Sequence, residues 1–575
     1  MNGMPDAPTM PPPAGAAMPP ELAPYVAAGV LDAADVAAVR MLVRLAARTG
    51  PIEPATLAWV AMGLAMRTPR DGHTCVQFEQ IAEWAGEIST TAPAAGEPPW
   101  PTDPQPWLDA LRAVPVLVGG PGDRAPFILE GDAADARLYL ARAFTEEREV
   151  AAALLADGAA RVSVLLGGPG SGKTYTLAKD LIEMFAAATT PLRIALAAPT
   201  GKAAARMTKA LEDRCVKAAA TPEVLAAVRA APATTVHRLL RYAPDRTPRF
   251  AYGPGNPLDY DLVVVDEVSM LSSSLLHRLL AALGPATAIR LVGDPDQLAS
   301  VESGSVLHDI ATACRRPDSP LHARLTELTG QHRYAADSGV AGLAAAIRRG
   351  DAPAALAMLA AGLPDVEWIT PENAAAVEAT TDLAAAQARR LRDLALRGAG
   401  TDADARAVLA AQATLQVLCA RRDGPTGVAG WNQRIERRLS PDSALGWYAG
   451  RPIMVTRNNP DVALANGDVG MVVPADERRM DAVFPLGEEI VRVPVTRLED
   501  VATVHALTIH KSQGSEYDHA IVVLPERAGR LLTRELLYTG VTRAAKRVTV
   551  IGSRGVIQAA IATPIRRATG LARRL

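Results

Sequence analysis

Gly167-Gly168-Pro169-Gly170-Ser171-Gly172-Lys173-Thr174 is the stretch of this 575-residue chain whose residue types and spacing speak most directly of chemistry. An aliphatic, β-branched run, Val162 to Leu166, precedes it, and a helix-compatible stretch, Tyr175 to Ala187, follows. A strand, a glycine-rich turn and a helix start, in that order, make a phosphate cradle. The glycines let successive backbone N–H groups converge on an anion, and the helix N-terminus adds the positive end of its dipole. In such a loop Lys173 reaches the β- and γ-phosphates and the Thr174 hydroxyl ligates Mg²⁺. The context of strand and helix predicts binding of a nucleoside triphosphate.

Three later stretches suit the same chemistry. Val263-Val264-Val265-Asp266-Glu267 is an apolar strand ending in two carboxylates, about 90 residues beyond the phosphate loop. Asp266 at the strand end can hold Mg²⁺, and Glu267 points at the place from which water attacks a γ-phosphate. Gln297, in Val292-Gly293-Asp294-Pro295-Asp296-Gln297-Leu298, is placed to contact both the γ-phosphate and that water. Pro199-Thr200-Gly201-Lys202 ends another strand and opens a helix, where a hydroxyl and free N–H groups suit a backbone phosphate of a polynucleotide. Thr234-Thr235-Val236-His237 reads equally as a strand contact or as an ordinary helix start.

These residues need a scaffold that brings strand ends together. From about residue 150 the chain alternates strand and helix, as a doubly wound parallel sheet does, with strands expected at Val162–Leu166, Arg193–Ala197, Leu262–Val265 and Ala288–Val292. Ligands bind at the carboxyl ends of such strands. An Ala- and Arg-rich helical connection runs from about 346 to 410. A second α/β unit, 411 to 575, begins at Leu415–Cys419 and resumes at His519–Leu524 and Arg547–Ile551, with a small β-rich insertion at about 455 to 500. Ahead of the first unit (146 to 345) lie a Pro- and Ala-rich tail, 1 to 20, and a mainly helical domain, 21 to 145, without a catalytic constellation and so expected to serve in docking. That domain holds Trp59, Trp84, Trp100 and Trp107, four of the seven tryptophans, which suit either its own core or a docking surface.

The net charge of −2 neither demands nor excludes nucleic acid. Cys75, Cys215, Cys314 and Cys419 are scattered without C-x-x-C spacing, which argues for a reducing compartment. With neither a signal-like N-terminus nor a long charge-free apolar run, the expectation is cytoplasmic.

The set G-G-P-G-S-G-K-T, A-P-T-G-K-A-A, V-V-V-D-E-V-S-M and V-G-D-P-D-Q-L resembles the first half of a superfamily 1 helicase. Gln331-His332-Arg333-Tyr334, Val417 to Arg422 with Trp431-Asn432, Leu507 to Glu516 and Leu537 to Ala544 complete it. Within that superfamily the chain is most similar to the RecD family, the alpha subunits of RecBCD-type exonuclease V, over roughly residues 150 to 555. The resemblance implies two RecA-like P-loop motor domains with an SH3-like β insertion in the second. It also implies ATP and Mg²⁺ as cofactors, 5′→3′ movement on single-stranded DNA in double-strand break repair, and a heterotrimer with RecB-like and RecC-like subunits, one of them the nuclease. Arg333 and Arg543 are implied as arginine fingers on the γ-phosphate. Thr508 and His510 are implied as strand contacts in the second half, with Thr200, Lys202 and His237 in the first.

One feature of the superfamily is missing. No Gln stands between Gln105 and Gln297 to read adenine upstream of the phosphate loop, which leaves the base to stacking or backbone contacts. A free-standing 5′→3′ helicase remains an alternative. A relaxase does not, since His73 alone precedes the motor. A subunit holding ATP only as a structural ligand is disfavoured by the joint presence of Glu267, Gln297, Arg333 and Arg543.

Overall fold

The computed structural model describes residues 19–88, 100–156, 161–190, 192–218, 220–231, 233–243, 249–330, 338–397, 400–439, 446–462, 464–476, 479–486 and 489–575. The expected tail lies almost wholly outside them. In the N-terminal domain, helices Ala33–Ala46, Thr56–Asp71 and Gln105–Arg112 are joined by a small sheet that the sequence reading did not anticipate. Its strands are β1 (Cys75–Gln77), β2 (Val118–Gly119), β3 (Phe127–Glu130) and β4 (Arg137–Leu140), in the order β1-β4-β3-β2. They are two to four residues long, too short for an alternating pattern to stand out. All four tryptophans pack in or against this domain's core, Trp107 fully buried and stacked on Trp100 at 6.2 Å. Trp84 and Trp107 belong to that core, and Trp59 and Trp100 are half-buried against it.

The first motor sheet is six-stranded and parallel. Its strands are β5 (Val162–Gly167), β6 (Ile194–Ala198), β7 (Thr234–Thr235), β10 (Leu262–Val265), β11 (Ala288–Gly293) and β12 (Leu325–Leu328), in the order β12-β5-β11-β10-β6-β7. A two-stranded hairpin, β8 (Tyr242–Ala243) and β9 (Arg249–Phe250), stands outside it. Every residue of β6 and β10 is buried, which is why those strands read as unbroken apolar runs rather than alternating ones. The second motor sheet is parallel too: β13 (Val366–Ile369), β14 (Leu415–Cys419), β20 (Ala506–Thr508), β21 (Tyr517–Val523) and β22 (Ala544–Ile551), in the order β13-β22-β21-β14-β20. The stretch read as a purely helical connection thus contributes the edge strand β13. Between β14 and β20 rises an antiparallel sheet of β15 (Pro452–Val455), β16 (Val469–Pro474), β17 (Met480–Leu486), β18 (Glu489–Pro494) and β19 (Val501–Thr503), with β18 and β19 at its edges.

The last thirteen residues sew the molecule together. Leaving helix Arg554–Ala562, the chain returns to the first motor, where Leu571 and Leu575 enter the core. On the way Arg567 donates to the carbonyls of Ser300, Glu302 and Gly304. The N–H of Ala568 donates to His73 Nδ1 at 2.9 Å, and its carbonyl accepts from the N–H of Thr74. Burial holds the His73 imidazole down to about 4, in keeping with an acceptor ring nitrogen. His73 is therefore a structural histidine. Thr569 Oγ1 donates to Asp309 at 3.0 Å, and the N–H of Gly570 donates to the buried Glu147.

Burial, reinforced by Glu147 and opposed by Thr569 and Arg567, pushes the Asp309 carboxyl up to about 8. A carboxyl raised in the fold costs stability progressively as pH climbs from its unfolded pKa, near 4, to its folded one, because the unfolded chain gives up the proton first. Asp309→Asn keeps an acceptor for Thr569 and removes the buried charge. Its stabilising effect in heat-unfolding measurements is expected to grow between pH 5 and pH 8, by at most about 4 kcal/mol. A difference that stays flat with pH would mean that Asp309 ionises in the fold as readily as in water.

Candidate functional site

Because β5, β11, β10 and β6 lie side by side and parallel, the loops leaving their carboxyl ends converge. The loop after β5 is the phosphate cradle. Gly170 and Gly172 take φ of 79° and 93°, a region that glycine enters without steric cost. Lys173, at the start of helix Lys173–Ala187, folds its Nζ onto the carbonyls of Gly167 and Gly168, the latter at 3.1 Å. The loop after β10 carries Asp266 and Glu267. Glu267 has φ 54° and ψ 41°, a left-handed conformation that a residue with a Cβ holds only where its surroundings over-determine it. Its N–H donates to Asp266 Oδ1 at 2.8 Å, and both carboxylates line the same cleft as Lys173 and Thr174. Burial, with Glu267 adding to it and Lys173 opposing, holds the Asp266 carboxyl above the usual carboxylate range. The Thr174 hydroxyl and the Asp266 carboxylate are hard oxygen donors, the kind Mg²⁺ takes alongside phosphate oxygens and water.

The loop after β11 reaches across to the second motor. Gln297, 4 % exposed, donates from Nε2 to Asp294 Oδ2 at 3.1 Å and accepts at Oε1 from Arg543 Nη2 at 3.2 Å. Arg543, 3 % exposed, also donates to the carbonyls of Thr539 and Ser515. The Tyr538 hydroxyl donates to Asp294 Oδ2 at 3.2 Å, and burial pushes the Asp294 carboxyl up to about 6. Tyr538 comes from helix Arg534–Val541 and Arg543 from the turn after it, so the chain Tyr538–Asp294–Gln297–Arg543 leaves the second motor and returns to it. A Cβ on Gly168 would lie 3.0 Å from the Tyr538 hydroxyl, so a side chain there would crowd the close approach of the two motors. The Leu298 N–H to Thr539 Oγ1 bond (3.0 Å), the Gln513 Nε2 to Leu298 carbonyl bond (3.0 Å) and the Arg206–Glu516 ion pair also span the cleft. The resulting space, about 390 Å³, brings together Lys173, Thr174, Asp266, Glu267, Gln297 and Arg543. Arg333 lies outside the described residues. Asp294 and Tyr538 were not expected as site residues. Both stand in the quoted motifs, but they meet only in space, 244 residues apart.

The candidate strand contacts fall on separate surfaces. Thr508 lines a groove of about 960 Å³ with Arg422, Asn432, Arg434, Arg437 and Lys511. Asn432 fixes the strand leading to Thr508 by accepting from the Ala506 N–H (2.8 Å) and donating to the Thr503 carbonyl (3.0 Å). Trp431, quoted with it in the sequence, is buried in the core. His510 is half-buried, and burial, then Arg567 and Arg422, holds its imidazole below the usual range. On the first motor the Thr200 hydroxyl accepts from the Ala203 N–H and caps helix Gly201–Lys217, with Lys202 exposed beside it. Asp468, in a turn of the inserted sheet, approaches Gly201. His237 lies elsewhere, exposed against Tyr242 and Phe250 in a pocket with Arg142, Arg249 and Arg278.

A phosphate loop at the end of one parallel sheet, facing an arginine carried by a second, defines a two-lobed P-loop motor of the superfamily 1 helicase class. In keeping with this, residues 151–303 match the AAA domain family and residues 503–551 the UvrD-like helicase C-terminal domain. Residues 27–139 match the RecBCD enzyme subunit RecD, N-terminal domain. Over 95 % of its length the chain is 40 % identical to the RecBCD enzyme subunit RecD of Mycolicibacterium smegmatis, covering 98 % of that protein. It is 39 % identical to the corresponding Mycobacterium tuberculosis protein over 95 % of both. The chain belongs to the RecD family. Among solved structures it aligns with a Bacteroides Pif1 helicase in complex with ADP-AlF3 and ssDNA, at 17 % identity over 70 % of this chain and 91 % of that one, with a TM-score of 0.36.

Proposed function

We propose that this chain is the ATP-driven 5′→3′ DNA motor of a RecBCD-type exonuclease, working in the cytoplasm with RecB-like and RecC-like subunits in double-strand break repair, the nuclease being on a partner. The observation that carries this reading is the bond from Arg543 to Gln297, which joins the second motor to the residues around the phosphate loop of the first. In this reading Gly167 to Gly172 bind the triphosphate through backbone N–H groups, and Lys173 neutralises its terminal phosphates. Thr174 and Asp266 would hold Mg²⁺, which would supply charge neutralisation to the phosphates. Glu267 accepts the proton of the attacking water, Gln297 orients that water, and Arg543, with Arg333, meets the charge that develops on the γ-phosphate. Loss of that phosphate would alter the Gln297–Arg543 contact, so the two motors would shift relative to each other. The basic groove at Thr508 and Lys511 and the helix start at Thr200 and Lys202 would then move along a strand by turns. His237 and His510 complete the proposed strand contacts.

The test is DNA-stimulated ATP hydrolysis together with unwinding of duplexes bearing a 5′ or a 3′ single-stranded tail. Stimulation by single strands and unwinding from the 5′ tail are expected. Unwinding only from a 3′ tail, or hydrolysis indifferent to DNA, would overturn the proposal. Alanine at both Thr508 and His510 is expected to reduce DNA stimulation and leave ADP affinity nearly intact. Full stimulation in that variant would mean that the strand runs elsewhere.

A further inference from the structure

The segment that carries Gln297 runs on past the nucleotide cleft, and its far end is held as firmly as its near one. Leu298, the next residue, gives its N–H to Thr539 and takes the Gln513 amide on its carbonyl, so the second motor fixes it from both sides. Two residues further on, the grip passes to the closing strap. Arg567 donates from Nη2 to the Ser300 carbonyl and from Nη1 to the carbonyls of Glu302 (2.6 Å) and Gly304 (2.7 Å). The Gly304 N–H donates to the Gly72 carbonyl of the N-terminal domain at 3.0 Å, and the Ser303 carbonyl accepts from the Ser273 N–H. Gly72, with φ 80°, closes helix Thr56–Asp71, and a Cβ there would lie 2.9 Å from the Arg567 guanidinium carbon. That turn presses directly on the guanidinium.

Arg567 does not line the nucleotide cleft, yet it spends a planar fork on three carbonyls of one loop. A rigid fork fixes the carbonyls it bridges relative to one another, which a single bond does not. Only Ala299 separates the residue held by the second motor from those held by the strap. Each residue has two soft backbone dihedrals, so little freedom remains between Leu298 and Ser300 to absorb a displacement. The place at which Arg567 holds the loop therefore bears on how Gln297 meets Arg543.

We propose that Arg567 is a positioning residue for ATP hydrolysis, which acts by clamping residues 300–304 and, through them, Gln297. The inference rests on the reading that Gln297 serves hydrolysis at the phosphate loop, and the experiment separates the two. Hydrolysis stimulated by single-stranded DNA, ADP affinity and the heat-unfolding midpoint are measured on the full chain. The variants are Arg567→Met, Thr569→Val, Gln297→Ala, and Gln297→Ala combined with Arg567→Met. Arg567→Met is expected to lower kcat about tenfold, inside the roughly 10²-fold that a misplacement of about 1 Å can cost, with KM and ADP affinity nearly unchanged. Thr569→Val gives up the neighbouring strap bond to Asp309 and is expected to lower the midpoint while keeping kcat. In the Gln297→Ala chain, Arg567→Met is expected to cost less than about twofold more, since the group it positions is already gone. Should Arg567→Met fail to fold, Arg567→Lys, which keeps the charge and loses the fork, takes its place in the same set. Unaltered kcat in the single variant, an undiminished loss in the Gln297→Ala background, or an equal loss of kcat in Thr569→Val would overturn the positioning role. If Gln297→Ala alone leaves kcat unaltered, the reading of Gln297 fails first, and this inference with it.

Discussion

Glu267→Gln is expected to bind ATP and hydrolyse it about 10²- to 10⁴-fold more slowly, the usual contribution of a general base. Glutamine has the shape of glutamate and can occupy the same left-handed backbone position, with φ near 54°, at no greater steric cost. What it lacks is the capacity to take a proton from water. Lys173→Gln should fail differently, losing nucleotide affinity and turnover together, because that ammonium is the cation at the mouth of the loop. Single-turnover hydrolysis alongside equilibrium ADP binding separates the two defects. Near-normal hydrolysis in Glu267→Gln would move the general base to another residue, and the buried Asp294 would be the next to examine.

Arg543→Lys is expected to lower kcat about 10³-fold or more, the range of a missing arginine finger, with a much smaller change in ADP affinity. The side chain makes three hydrogen bonds in different directions, to Thr539, Ser515 and Gln297. A guanidinium is planar with five donors and can satisfy all three while presenting charge to the cleft. An ammonium is a point charge on a flexible stem and cannot. Some destabilisation is also expected, since the Thr539 and Ser515 carbonyls would lose a buried donor. Heat-unfolding midpoints therefore need to be measured beside kcat. A fully stable variant with unaltered turnover would reduce Arg543 to a tie between the motors.

The candidate nucleotide site was legible in the chain because its parts are local. A phosphate loop needs its glycines, lysine and threonine within eight consecutive residues, and a buried parallel strand ending in two carboxylates announces itself as a run of valines followed by Asp266 and Glu267. Strands β10 and β14 appear in the structure with the bounds expected for them, because both are short, largely apolar runs. Strands β1 to β4, β7 to β9, β12, β13, β17, β19 and β20 were missed. They are short or lie on the partly solvated face of a sheet, where partners distant in sequence decide the pairing.

The residue types and spacing of the chain alone determined that it carries a nucleotide-binding motor of two α/β halves and which side chains belong at its phosphate end. Only the tertiary structure decided how the halves are joined. The partnership of Tyr538 with Asp294, the ion pair of Arg206 with Glu516 and the thirteen-residue strap through His73 and Asp309 link positions hundreds of residues apart. No periodicity or spacing encodes such contacts, because they depend on which surfaces meet after each sheet has already formed. The same holds for the four tryptophans: only packing shows Trp84 and Trp107 in the core of their domain and Trp59 and Trp100 half-buried against it.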